Sequence, residues 1–247
     1  LYTLLAWTDV KNRYRRTRLG PFWLTISMGL FIVAVGLLYS VIFANRGSDY
    51  IPYFGTGVIV WAFINSTISE QSDVFINGAQ IIQNINVPRS IFIFRVLVST
   101  LIVLGHNTVI IIILAVIFRM PINATIISAL MGVALIGLNG VFVGMSIGTV
   151  CARYRDLPHM IASFLQITFF LTPIIWQTSI VEHSNKWVFL ILLNPFYHFV
   201  EIVRSPIVSG EVAPTTSWVV VILFTMIFGV LATSIYAARV RRLGLWL

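Results

Sequence analysis

The sequence predicts an all-α integral membrane protein. It has six transmembrane helices, an N-terminal amphipathic helix in the membrane interface, and a re-entrant helical pair between spans five and six. Three observations carry this prediction. The 247-residue chain is 58% hydrophobic and only 10% charged, with a mean hydropathy of +0.95. A soluble domain carries about 25% charged residues, so a chain this apolar has too little polar surface to face water. Second, six apolar stretches are long enough to cross about 30 Å of hydrocarbon. They lie near Leu24–Phe43, Ile51–Ser69, Ile91–Phe118, Ala124–Cys151, Met160–Thr178 and Trp218–Ala238.

Third, the basic residues divide unevenly between the two sides that six spans define. With the N-terminus inside, Lys11, Arg13, Arg15, Arg16, Arg18, Arg89, Arg95, Arg153, Arg155, Arg239, Arg241 and Arg242 face the cytoplasm. Only Arg46, Arg119, Lys186 and Arg204 fall on the other side, completing the 16 Lys and Arg. The positive-inside bias then puts both termini in the cytoplasm. An odd number of spans would scramble this partition.

The first element is LYTLLAWTDVKNRYRRTRLGPFW. Leu4, Trp7, Val10 and Tyr14 recur at helical spacing beside a basic run, as in a helix lying in the interface plane. Gly20-Pro21 lets the chain turn into span one. Arg13, Arg15, Arg16 and Arg18 either anchor this end inside or also contact a phosphate-bearing lipid substrate. Nucleic acid is excluded as a partner, because the charges abut a membrane span where anionic lipids compete for them. Span one exceeds a signal-peptide core of about 7–15 residues and is expected to be retained.

The loop after span two, SEQSDVFINGAQIIQNINVPRS, mixes polar and apolar residues at helical spacing. It predicts a short helix whose apolar stripe docks on a cytoplasmic protein or rests on its own bundle. Spans three and four approach 28 residues each, about 42 Å at 1.5 Å per residue, and should tilt or project. Polar His106-Asn107 interrupts span three and reads as helix-to-helix hydrogen bonding or pore lining. Gly140, Gly144 and Gly148 form a small-xxx-small ridge, for packing within the subunit or for a dimer seam.

CARYRDLPH follows span four, with Arg153, Arg155 and Asp156 able to form a charge network and Pro158 placed to start a helix. These charges serve as an inside anchor or as a second partner contact. Between spans five and six, Trp187–Val203 is apolar but broken by Asn194-Pro195. It is too short to cross twice and too apolar for a solvated loop. A re-entrant pair satisfies both, with one short surface helix as the alternative.

Several aromatics sit away from the interfacial belts: Trp61, Phe63, Phe169, Phe170 and Trp176. They pack in the core or offer flat faces to sugar rings. The chain lacks a G-x-x-x-x-G-K-[ST] phosphate loop, and its eight acidic residues avoid the middle of the six long spans. It contains no acid/base or metal-binding constellation for glycan transfer, so neither an ATPase nor an integral-membrane transferase is expected; catalytic and metal-ligating residues are none.

Four segments together bear a family resemblance. WTDVKNRYRRTRLGPFW, INVPRSIFIFR at Ile85–Arg95, RYRDLPHMIASFLQITFFLTPIIW at Arg153–Trp176 and LLNPFYHFVEIVR at Leu192–Arg204 resemble ABC-2 type permeases that export polysaccharides. The ending RRLGLWL is similar to the tail of O-antigen (lipopolysaccharide) exporters in that family. The likeness covers the whole chain, and the order and spacing of the segments make it specific.

The resemblance implies a single transmembrane domain over residues 1–247: a cytoplasmic interface helix at 1–20 and a six-helix bundle at 21–247. It implies a bacterial inner-membrane homodimer with two separate ATPase subunits that carry the ATP and Mg, this chain holding no cofactor. The cargo is an undecaprenyl-diphosphate-linked polysaccharide, O-antigen first, then capsule or teichoic acid, with a lipid or drug as the rival. By position, the ATPase-coupling helix falls within Asp73–Pro88. The expected coupling surface is Asn77, Gln80, Gln83, Asn84, Val87 and Pro88, with Arg153, Arg155 and Asp156. The lipid diphosphate falls to Arg13, Arg15, Arg16 and Arg18. A glycan channel falls to Trp61, Phe63, Phe169, Phe170 and Trp176, and an outer gate to Asn194, Pro195, Phe196 and Tyr197.

Overall fold

A computed structural model describes residues 6–7, 22–42, 47–85, 87–178 and 193–247. The regular elements among these residues are all helical. They are α1 (Phe22–Ile42), α2 (Gly47–Ser72), two short helices α3 (Val74–Asn77) and α4 (Ala79–Asn84), then α5 (Ser90–Phe118). Next comes α6 (Ile126–Val143), which continues through a π-helical turn at Gly144–Gly148 to Cys151. α7 (Leu157–Leu171), α8 (Pro195–Val208), α9 (Thr215–Arg239) and α10 (Leu243–Trp246) complete the order.

Five of these helices are long and apolar enough to cross a membrane: α1, α2, α5, α6 with its extension, and α9. The sequence predicts a further span at Met160–Thr178, but α7 is helical for only 15 residues. At 1.5 Å per residue that is about 22 Å. Pro173 supplies the reason. It removes a backbone donor and drives the preceding residue to extended geometry, and Thr172 has φ −88° and ψ 135°.

α2 is the hub, with α1, α5, α6, α7 and α8 packed around it. Within its span 72% of the most apolar window is buried, against 11% in α1. Its central place explains its composition. Some of its hydroxyl and amide side chains find partners on neighbouring helices, as when Gln71 Nε2 donates to Ile93 O over 2.9 Å. The glycine ridge of α6 packs on this helix within the subunit. A Cβ on Gly140 would collide with Thr67, and one on Gly144 with the Gln71 amide. One on Gly148 would lie 2.6 Å from the Gln71 carbonyl oxygen. The π turn falls at this closest approach, where small residues let two backbones meet.

His106 departs from its expected role. Its Nδ1 lies 2.8 Å from Ile102 O of its own helix, and its ring meets Phe22 of α1 edge-on at 5.9 Å. It joins two helices through a ring contact.

Candidate functional site: an aromatic groove with a joint at each end

A groove of about 680 Å³ runs between α1, α2 and α7. α2 contributes Val58, Trp61, Ala62, Asn65 and Ser69, residues that recur every three or four positions on one face. α7 contributes Leu165, Gln166, Phe169 and Phe170, and α1 contributes Ser27, Met28 and Phe31. The Trp61 ring lies 5.9 Å from Phe169 and 5.7 Å from Phe196, and Phe169 lies 5.3 Å from Phe170. Trp61 is deeply set at 5% exposure, whereas Phe170 stands 61% exposed at the rim. The amide N–H groups of Asn65 and Gln166 carry no bond among the described residues. Ring faces and free amides on one wall can take up the C–H faces and hydroxyls of a sugar chain.

Of the aromatics singled out in the sequence, Trp61, Phe169 and Phe170 share this groove. Phe63 faces elsewhere: it is buried with Val60, Val200 and Val203, between α2 and α8. Trp176 sits in the turn beyond α7, where its Nε1 donates to Phe170 O at 3.2 Å.

At one end of the groove this turn is tied down by side chains from α2 and α8. The chain is irregular after Pro173, so its carbonyls need donors in an apolar setting. Tyr50 donates to Ile175 O at 2.5 Å, and Tyr53 to Pro173 O at 3.0 Å. Arg204 Nη1 donates to the same Pro173 O at 2.8 Å. Its Nε and Nη2 donate to Glu201 Oε2, and its guanidinium lies 3.8 Å from the centre of the Tyr53 ring. Only 2% of Arg204 is exposed. The basic-residue partition puts Arg204 at the outer surface; the structure buries it as a fully engaged cation, neutralised by a carboxylate one turn away on the same helix.

α8 also starts in a designed way. Asn194 Oδ1 accepts from Phe196 N at 3.0 Å, an N-cap, and Pro195 occupies the first turn, where its missing N–H costs nothing. Asn194 Nδ2 donates to Thr172 Oγ1 at 2.9 Å. Pro195 and Phe196 lie beside Ile64, Gly140 and Leu165, well inside α2, α6 and α7 rather than at their ends. Tyr197 is half-buried, and its ring meets buried His198 at 5.1 Å. The preceding limb expected from Trp187 lies outside the described residues, as do Arg13, Arg15, Arg16 and Arg18.

The opposite end carries α3 and α4. Val74, Phe75 and Ile82 turn inward, while Asn77, Gln80, Gln83, Asn84 and Pro88 are exposed and Val87 is half-buried. Ile81 and Ile85 also point outward, so the apolar residues are shared between bundle and surface. Arg153, Arg155 and Asp156 are exposed. No ion pair joins them among the described residues, which corrects the expected network. Arg153 instead lies over the rings of Tyr154 at 5.3 Å and Trp246 at 5.5 Å.

Nothing in the residue pattern of the tail points to what α10 does here. Leu243 is fully buried with Val74, Phe75, Ile82, Phe92 and Ala152, so the tail underlies both loops at this end. Next to it, burial raises the Asp73 carboxyl above its ordinary value, and the positive potential of His159 partly offsets this. No cluster of three His, Cys, Asp or Glu that could hold a metal occurs among the described residues.

Comparison with known proteins agrees with this architecture. The chain is 25% identical over 242 residues to an "O-antigen export system permease protein RfbA" of Klebsiella pneumoniae, covering 96% of this chain and 90% of that protein. It is 19% identical over 193 residues to a protein of the same description from Myxococcus xanthus, covering 77% and 74%. The profile of the ABC-2 type transporter family matches residues 1–208. A multi-pass helical membrane chain built around a buried central helix, with that match along most of its length, belongs to the ABC-2 type transporter family.

Proposed function

We propose that this chain is the transmembrane subunit of an ATP-driven exporter that moves a lipid-linked polysaccharide, O-antigen first among them, across the bacterial inner membrane. The observation that carries the reading is the groove, where Trp61, Phe169 and Phe170 share a wall with the amides of Asn65 and Gln166. Stacking on apolar ring faces tolerates many sugars and grips none tightly, which suits a sliding chain. The names of the Klebsiella and Myxococcus relatives favour O-antigen over capsule, teichoic acid or a non-glycan lipid.

In this reading two copies pair with their α1–α7 grooves facing a shared path. Met160, Phe164, Ile167 and Leu171 expose an apolar face on α7 for that purpose. The α3–α4 end faces the cytoplasm, with both termini, and its exposed amides meet one of two separate ATPase subunits. Those subunits bind ATP and Mg, and this chain breaks no bond. α7 acts as the sixth, shortened crossing. α8 is the rising limb of a re-entrant pair that closes the outer end, with Asn194 to Tyr197 at its tip. Arg13, Arg15, Arg16 and Arg18 receive the diphosphate through charge-assisted contacts. The whole chain is one transmembrane domain with an interface helix at its start.

The test is co-reconstitution of the chain with its ATPase subunit in proteoliposomes loaded with undecaprenyl-diphosphate-linked glycan. ATP-dependent transfer of the glycan to the far leaflet is expected. ATP hydrolysis by this chain alone, or a glycan that neither crosses nor stimulates hydrolysis, would overturn the reading.

A further inference from the structure

A second concavity lies on the opposite flank of the molecule from the groove. It is a crevice of about 390 Å³ between α5 and α6, whose lips are the exposed side chains of Ile112, Val116 and Leu130. Its back wall includes Val203 and Ile207 of α8. With a lining that is almost entirely hydrocarbon and a mouth between two membrane-crossing helices, it is filled by hydrocarbon rather than by water.

A cation immediately precedes part of its lining in the chain. α5 ends at Arg119, which holds a left-handed conformation with φ 52°, and Met120, Pro121 and Ile122 run on into the crevice lining. Arg119 is exposed and makes no ion pair among the described residues. Arginine at this position offers a planar set of donors matched to a phosphate oxygen pair. This segment is also bound to the far end of α8. Asn123 Nδ2 donates to Gly210 O at 3.1 Å, and Gly210 sits at φ +70° with Pro121 packed so closely that a Cβ there would lie 2.7 Å from it.

We infer that the α5–α6 crevice is a binding site for one anionic phospholipid. An acyl chain lies between the helices against α8, and the headgroup phosphate rests on Arg119. The site is independent of the transported cargo. Because Val203 and Ile207 form its back wall, the bound lipid also packs on the helix that borders the groove's Arg204 joint.

The full-length chain, purified in detergent and titrated with dioleoyl phosphatidylglycerol or dioleoyl phosphatidylcholine, is read by native mass spectrometry. One phosphatidylglycerol is expected to be retained in preference to phosphatidylcholine. Arg119→Gln should weaken phosphatidylglycerol binding about tenfold and abolish the preference, as loss of a charge-assisted contact does. Ala115→Phe, which fills the crevice, should reduce retention of both lipids. Arg119 is exposed, so its variant folds whether or not the crevice tolerates Phe. No retained lipid, a headgroup preference unchanged in Arg119→Gln, or crosslinking of two copies through Val116→Cys in place of lipid binding would overturn the inference.

Discussion

The two ends of α2 are held by different physics. Near Tyr50 and Tyr53 the joint is charged: two phenols and Arg204, itself paired with Glu201, donate to the carbonyls beyond α7. Near Gln71 the joint is neutral: one amide bond to Ile93 O, three glycines against the helix, and an apolar cluster closed by Leu243. A buried ion pair is fragile to the loss of one partner, because the other charge stays behind without compensation. A neutral joint made of close contacts loses stability in smaller steps. The charged end should therefore behave as a fixed knot, and the neutral end as a surface able to shift.

The sharpest way to break this contrast is Arg204→Met. Leaving Glu201 unpaired should cost about 3–5 kcal/mol, read by denaturant titration in micelles. Adding Glu201→Leu should recover much of the loss, and a double-mutant cycle measures that coupling. A loss under about 1 kcal/mol for Arg204→Met alone would place the pair in the class of weak surface bridges and end the comparison.

Next in size is Leu243→Ala, expected to cost about 2–4 kcal/mol of local docking energy. Its signature is faster amide exchange across α4 with α8 unchanged; equal acceleration at both ends would show one cooperative unit. Gly148→Ala should cost about 1–3 kcal/mol by overpacking against the Gln71 carbonyl, with no effect on the Arg204 joint. The smallest effect belongs to Asp73→Asn. Burial raises the native pKa of this carboxyl above its unfolded value. The stability it supports is present below the unfolded value and is lost as pH rises through the native one. Asn should flatten that slope, measured as unfolding midpoints from pH 4 upward.

Much of this was legible in the chain. The long apolar runs gave α1, α5, α6 and α9 to within a few residues, because a helix in lipid must satisfy its own backbone and so announces its length. Asn194-Pro195 marked a break in the apolar stretch, and the structure starts α8 there, since a cap and a missing N–H act locally. Pro173 announced the early end of α7 just as locally, but the apolar residues after it masked the signal. Trp61, Phe169 and Phe170 were picked out as deep aromatics, yet nothing in their spacing separated them from Phe63. That distinction depends on which face of α2 meets α7. The role of Leu243 was invisible, because its partners lie more than 90 residues earlier in the chain.

The sequence by itself determined that this protein lives in a membrane, where five of its long helices run, and where the small residues allow helices to touch. Hydropathy, capping and size act on each segment separately, so no knowledge of the fold is needed to read them. Only the tertiary structure decided that Arg204 is a buried knot rather than a surface charge, that the tail underlies α3 and α4, and that three aromatics share one groove. Each of these depends on groups brought together from distant helices, and the energy of a charge or a ring is set by the neighbours it meets there.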